Sequence, residues 1–142
     1  DIVYGDTVMY DREGWTRINR YYAVDRYYLY YNMINHQSIF YTASVFDRCG
    51  LYDESYEICS DFEHLLRLFE TDDIEKVHLS KGVVVFPLVG LCSDARFRGV
   101  SEAERKGITD MHFTRKEKLI FGLLPYRMYR DALASMRRLR WG

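Results

Sequence analysis

Apolar and polar positions alternate in short runs over the first twenty residues, which predicts strands rather than helices. Asp1–Tyr4 reads as a short strand closed by Gly5-Asp6, and Thr7–Tyr10 as a second strand. Asp11-Arg-Glu-Gly14 has turn chemistry, so Trp15–Ile18 is expected to return as a hairpin arm. From Asn19 to Met33 the pattern dissolves into tyrosines, and an irregular segment followed by a short helix near Val24–Asn32 is expected.

Further on the elements are clearer. His36-Gln37 opens a strand-like run, with Ser38–Thr42 as a short strand. Ala43–Cys49 is a short helix with Val45 and Phe46 facing inward, stopped by Gly50. Leu51–Glu57 is a loop rich in Tyr, Asp and Glu. Ser60 with Glu63 three residues later reads as a capping box, opening a helix to about Glu70 whose stripe is Phe62, Leu65, Leu66 and Phe69. Ile74–Leu79 is a strand, Ser80-Lys-Gly82 a turn, and Val83–Leu88 a very apolar strand expected at the sheet centre, with Pro87 at its end.

The last third is helical. Val89–Gly99 is a polar loop. Ser101 and Glu104 form a second capping-box pattern, starting a helix that runs to about Phe113 and continues from Thr114 to Phe121. Pro125 suits the first position of a final helix, 125–140, with Met128, Tyr129, Ala132, Leu133, Met136 and Leu139 on one face. Arg127, Arg130, Arg137 and Arg138 lie opposite. Such a basic amphipathic helix either packs on its own domain or makes peripheral contact with an anionic membrane or a partner.

The totals narrow the class. At 142 residues, 48% hydrophobic and 29% charged, the chain can build one core. A net charge of −1 gives no global attraction for nucleic acid, and the arginines among the tyrosines (Arg17, Arg20, Arg26) come without a nucleic-acid motif. Thirteen tyrosines suit either a wet sugar or nucleotide groove or a core margin with buried rings and wet hydroxyls. Cys49, Cys59 and Cys92 are odd in number and lack C-x-x-C spacing, so neither a disulfide framework nor a zinc site is expected, and a cytoplasmic location fits. No apolar run approaches the roughly 20 residues that span a bilayer. The opening Asp1-Ile-Val-Tyr, already strand-like, leads us to expect a piece of a longer protein.

Four motifs then fall in order: Asp1-Ile-Val-Tyr-Gly-Asp6; His36-Gln37 before Phe40-Tyr41; Phe46 with Gly50-Leu-Tyr-Asp-Glu54; and Ser60-Asp61-Phe-Glu-His-Leu-Leu-Arg-Leu68. Together they resemble the second half of family 2 glycosyltransferases with a GT-A fold. Those enzymes carry a strand ending Tyr-Gly-Asp, a His-Gln pair, a Gly-Phe-Asp-Glu segment and an Asp-Tyr-x-Leu-x-x-Arg helix. This chain departs from that pattern with Leu51-Tyr52 in place of the usual Gly-Phe or Phe, with Phe62 in place of Tyr, and with Gly90-Leu-Cys-Ser93 where the family has Gly-Gly-x-Ser.

The resemblance implies an α/β fold: a partial GT-A domain with a short mixed sheet and flanking helices over 1–95, then a C-terminal helical extension over 96–142. It implies a nucleotide-sugar donor, a glycan or lipid-linked acceptor, inverting transfer, and Mg²⁺ or Mn²⁺ in the full-length enzyme. The Asp-x-Asp metal motif of the family's first half is absent from this sequence, so no metal is expected in this chain, which alone is expected to be inactive. Self-association through surfaces that the first half would cover is expected, as is a place at the inner face of the membrane.

Inverting transfer needs a base for the acceptor hydroxyl. Read from the residues alone, Asp61 is a helix-start acid whose charge the dipole favours; the resemblance places the base there instead. Asp53 and Glu54 are candidates to line the acceptor site, and His36 and Gln37 to bind acceptor or diphosphate. Asp6 stands at an expected strand end, where open α/β sheets gather ligands, or is a turn-forming Asp. His64 is expected at the surface, His78 and His112 lack a partner pattern, and Arg67 stands at surface-pairing distance from Glu63 and Glu70. The competing function is a non-catalytic, Tyr-rich binding module for a glycan or a protein.

Overall fold

A computed structural model describes residues 1–11, 13–14, 16–22, 24–87, 95–126 and 128–129. The expected loop at Gly90-Leu-Cys-Ser93 and most of the expected final helix at 125–140 lie outside the described residues.

The sheet is built on one strand. β1 runs unbroken through Ile2–Tyr10 instead of forming two short strands. β2 (Thr16–Asn19) pairs antiparallel with Thr7–Tyr10, as the turn at Gly14 predicted. β3 (Ile39–Tyr41) pairs antiparallel with Ile2–Tyr4. β4 (Lys76–Pro87) pairs in parallel along the whole of β1, from Ile2↔Lys76 to Tyr10↔Pro87. β2 and β3 therefore share one edge of β1, and β4 occupies the other.

Two expected chain breaks turn out to be one shared irregularity. Gly5 pairs with Leu79, Asp6 with Gly82 and Thr7 with Val84, so β4 gains residues over β1 at that point. The backbone absorbs Ser80-Lys-Gly82 as a bulge instead of a turn. Gly5 is required beneath it: a Cβ there would meet Val83 Cγ1 at 2.5 Å and Lys81 O at 3.0 Å. The valine run is consequently not central. Among the described residues β4 pairs only with β1, and Val85 remains 65% exposed.

The helices meet the sheet in one buried cluster that includes Ile2, Tyr4 and Ile39, while Ile18, Phe40, Val77 and Val85 of the strands stay exposed. α1 (Arg26–Tyr31) is capped by Asp25, whose carboxylate accepts the Tyr28 N–H at 2.9 Å. α2 (Ala43–Cys49) ends at Gly50, which takes φ 78°, a left-handed value that favours glycine. α3 (Ser60–Glu70) buries Phe62, Leu65, Leu66 and Leu68. Full burial of each such side chain contributes about 1.5–3 kcal/mol. Ser60 is the first helical residue and not the cap, and Cys59 in the cap position makes no side-chain cap bond. Glu63 is drawn away from any capping box by Arg67, whose Nε lies 2.7 Å from Oε1.

α4 (Arg98–His112) begins three residues before the expected Ser101 cap. The expected continuation is a separate helix, α5 (Arg115–Leu123), opened by a true capping box between Thr114 and Glu117. One buried cluster joins the sheet and α3 to α4 and α5, through Leu29, Phe62, Ile108, Phe113 and Phe121. Tyr4, Tyr21 and Tyr27 belong to this cluster, and Tyr28, Tyr30, Tyr41, Tyr56 and Tyr129 pack at its margin. Tyr27 OH donates to Leu124 O at 2.9 Å and Tyr31 OH to Phe121 O at 2.7 Å, with the Tyr27 ring 5.2 Å from that of Phe121. The fold is mixed α/β with a small open sheet. Among the described residues no helix is long and apolar enough to cross a membrane.

Candidate functional site

His36 and Asp61 come together. Asn35 organises the first of them: its side-chain Oδ1 accepts the Gln37 N–H at 3.0 Å, and its carbonyl accepts the Ser38 N–H at 2.9 Å and Ser38 Oγ–H at 2.7 Å. His36–Ser38 therefore forms a 3-10 turn and not the start of a strand. The Asn35 N–H in turn donates to the hydroxyl of buried Tyr21 at 3.2 Å. From this turn His36 Nδ1 lies 2.8 Å from Asp61 Oδ2 in the first turn of α3. The other carboxylate oxygen accepts the Phe62 N–H at 2.7 Å.

The pair borders a cleft of about 220 Å³ that also touches Met9, Asn19, Tyr21 and Asn35. Met9 and Phe86, on its rim, lie near the carboxyl ends of the parallel strands β1 and β4, the end of an open sheet where ligands gather. The hydrogen bond to Asp61 raises the His36 pKa above the ordinary imidazole value; partial burial opposes this and the Asp61 charge assists it. Asp61 is 22% exposed, so its carboxylate is reachable from the cleft. Each of its oxygens holds one donor and keeps a lone pair for a hydroxyl proton.

The other expected site residues fare differently. Asp6 is 4% exposed and accepts from the Tyr21 N–H at 3.2 Å, with His78 Nε2 at 2.9 Å. It lies mid-strand beneath the bulge, not at a strand end, because β1 does not stop at Gly5, and His78 has the partner that its local sequence did not reveal. Asp53 and Glu54 are exposed on the loop after α2 and do not border the cleft. Asp53 closes a turn by accepting the Ser55 N–H at 2.9 Å, and its bonds with Ser55 hold its pKa below the usual carboxylate value. Gln37 is exposed and contributes its backbone N–H to the Asn35 turn.

His64 is fully buried, not at the surface. Its Nε2 lies 3.1 Å from Gly50 O, which can only accept, so Nε2 carries the proton. Among the described residues Nδ1 has no hydrogen-bond partner, and the ring stacks 5.6 Å from Phe46 and lies tilted 4.5 Å from Tyr52. His112 is held by Glu70, with Nδ1 2.9 Å from Oε2. Asn19, Tyr21 and Asn35 are cleft residues that sequence reasoning passed over. The one available signal was Asn35 directly before His36-Gln37-Ser38, a capping residue in front of a turn.

A wider, open hollow of about 450 Å³ lies by Tyr30, Arg105 and Lys118. Its lysines are engaged: Lys106 and Lys118 both bind Asp110, at 3.0 and 2.8 Å, and pull the Asp110 pKa down to about 2. Among the described residues no three His, Cys, Asp or Glu side chains gather as a metal ion requires. No family model matches the chain, and no curated protein matches it.

Proposed function

We propose that this chain is the acceptor-side part of a nucleotide-sugar-dependent, inverting glycosyltransferase of the GT-A, family 2 type, acting in glycan or polysaccharide assembly. The observation that carries the reading is the His36–Asp61 contact of 2.8 Å at the edge of a cleft. Two residues well separated in sequence, both singled out by the resemblance, meet where a hydroxyl could enter.

In this reading the acceptor hydroxyl donates to an Asp61 oxygen and loses its proton there as it attacks the anomeric carbon. His36 donates to Oδ2, orients the carboxylate and steadies its charge in the free enzyme. Asn19 and Asn35, half-buried at the cleft, offer polar groups to sugar hydroxyls. The sugar donor and any divalent metal are held by groups other than these, and no step here passes through a metal.

Two measurements test the reading. The protein encoded by the complete gene is assayed for nucleoside-diphosphate release from nucleotide sugars, with wild type and Asp61→Asn compared. A loss of roughly 10²–10⁴-fold in turnover is expected on removing a general base. In the 142-residue chain, titration with oligosaccharides is followed by the amide NMR signals of Asn35, His36 and Asp61. Undiminished turnover in Asp61→Asn would reject the base. Saccharide-induced shifts in a protein without transferase activity would instead favour a glycan-binding module.

A further inference from the structure

α3 carries the candidate base two residues after its cap position, yet that cap, Cys59, offers the helix no side-chain bond. The donors leading into the helix are satisfied from elsewhere. Glu104, on α4, accepts the Glu57 N–H on Oε1 at 2.7 Å and the Ile58 and Cys59 N–H groups on Oε2 at 3.0 and 2.9 Å. Desolvation pushes the Glu104 pKa up, but the bonds from Glu57, Cys59 and Ile58 outweigh it and leave the carboxyl below its usual value. A carboxylate gathering three backbone donors is a strong, charge-assisted grip.

α4 grips the same turn at two further points. Cys59 Sγ lies 3.6 Å from both the carbonyl and the hydroxyl oxygen of Ser101, one turn before Glu104. Arg105, the next residue, lays its guanidinium 4.0 Å over the Phe62 ring. Cys59 and Phe62 bracket Asp61, and both are held by α4. His36 is fixed from another direction, by the Asn35 turn.

We propose that Glu104 is a positioning residue for the His36–Asp61 pair: by fixing the start of α3 it sets the reach of the Asp61 carboxylate to the imidazole. Its catalytic weight rests on the reading of Asp61 as the base; its effect on the pair's geometry does not. Glu104 also anchors Glu57 at the end of the loop that carries Asp53 and Glu54.

The test is an NMR titration of the His36 imidazole in the 142-residue chain, in wild type, Glu104→Asp and Glu104→Gln. Aspartate keeps the charge and loses the reach; glutamine keeps the reach and turns an amide NH₂ toward backbone donors. Both variants are expected to lower the His36 midpoint from its raised value toward that of a free imidazole, with amide dispersion retained. An unchanged midpoint in a folded Glu104→Asp chain overturns the proposal. A midpoint that moves in Glu104→Gln and stays in Glu104→Asp also overturns it, because charge alone would then be the cause. If Glu104→Asp does not fold, an unmoved midpoint in Glu104→Gln overturns the proposal. In the protein from the complete gene, Glu104→Asp is expected to lose roughly 10- to 100-fold in kcat at nearly constant donor KM. A shifted His36 midpoint with unaltered kcat leaves the positioning role standing and removes the base assignment.

Discussion

His78 Nε2 lies 2.9 Å from Asp6 Oδ1, across the parallel pairing of β1 and β4. The same carboxylate oxygen accepts the Tyr21 N–H. Asp6 thus serves two partners from within the sheet, and it is 4% exposed. Asp6→Ala strands both, at about 1–3 kcal/mol for each buried donor left unpaired. Denaturant titration should show a loss of that order, with Asp6→Asn milder.

Stability should respond to pH through two histidines of opposite sign. Burial depresses the His64 pKa, so the unfolded chain takes up a proton there before the folded one does. Stability from this residue is complete above the unfolded value of about 6.5 and falls as pH drops below it. His36 is raised by Asp61, so its contribution is complete below about 6.5 and is lost as pH rises through its folded value. Urea midpoints measured across pH 4–9 (a range of about 5 units around the imidazole value) should show an acid limb that His64→Phe flattens. The decline above neutrality should be flattened by His36→Ala.

Gly5 and Val83 are sterically matched. A methyl group on Gly5 would overlap both Val83 γ-carbons, at 2.5 and 2.7 Å. Gly5→Ala should cost about 1–3 kcal/mol as an overpacked site. Val83→Ala in the Gly5→Ala background should restore part of the loss, the remainder reflecting Lys81 O at 3.0 Å. Additive effects of the two substitutions in a double-mutant cycle would contradict the observed packing.

Glu63 and Arg67 form more than an ion pair. Arg67 Nε donates to both Glu63 oxygens, at 2.7 and 2.9 Å, while its terminal nitrogens donate to Cys49 O and Leu51 O at the end of α2. Glu63 is 6% exposed, and removing one member of a buried pair typically costs about 3–5 kcal/mol. Thermal melts should place Glu63→Ala in that range. The double replacement Glu63→Met with Arg67→Met should recover only in part, because the two carbonyls lose their donors.

Local patterns were readable where local physics decides the structure. Ala43–Cys49 with Gly50 after it forms the expected helix and left-handed stop, and of the expected stripe Phe62, Leu65 and Leu66 are buried while Phe69 is half-buried. Elements decided by distant partners were not readable. Gly5-Asp6 and Ser80-Lys-Gly82 each look like a reversal, but the two accommodate one another as a bulge across the sheet. Ser101 and Glu104 have capping-box spacing, yet Glu104 is taken by amides 45 to 47 positions earlier. His64 looks polar and solvent-facing, yet the Gly50 carbonyl and two aromatic rings hold it inside. Of the candidate site, His36 and Asp61 were named from the sequence and do meet. Asp53 and Glu54 remain exposed loop acids, and the supporting Asn35 and Tyr21 emerge only once the chain is folded.

The parallel pairing of β1 with β4 also sets a timetable. Ile2 must wait for Lys76, and Tyr10 for Pro87, before that edge of β1 is closed. The β1–β2 hairpin closes locally, but the ladder that completes the sheet joins chain segments far apart, a slow kind of closure. During synthesis β1 leaves the ribosome well before its partner and spends that interval with one edge unprotected. A chaperone that shields extended apolar chain would find its substrate in that interval, and chains arrested before residue 76 should be far more prone to clump than chains arrested after residue 87.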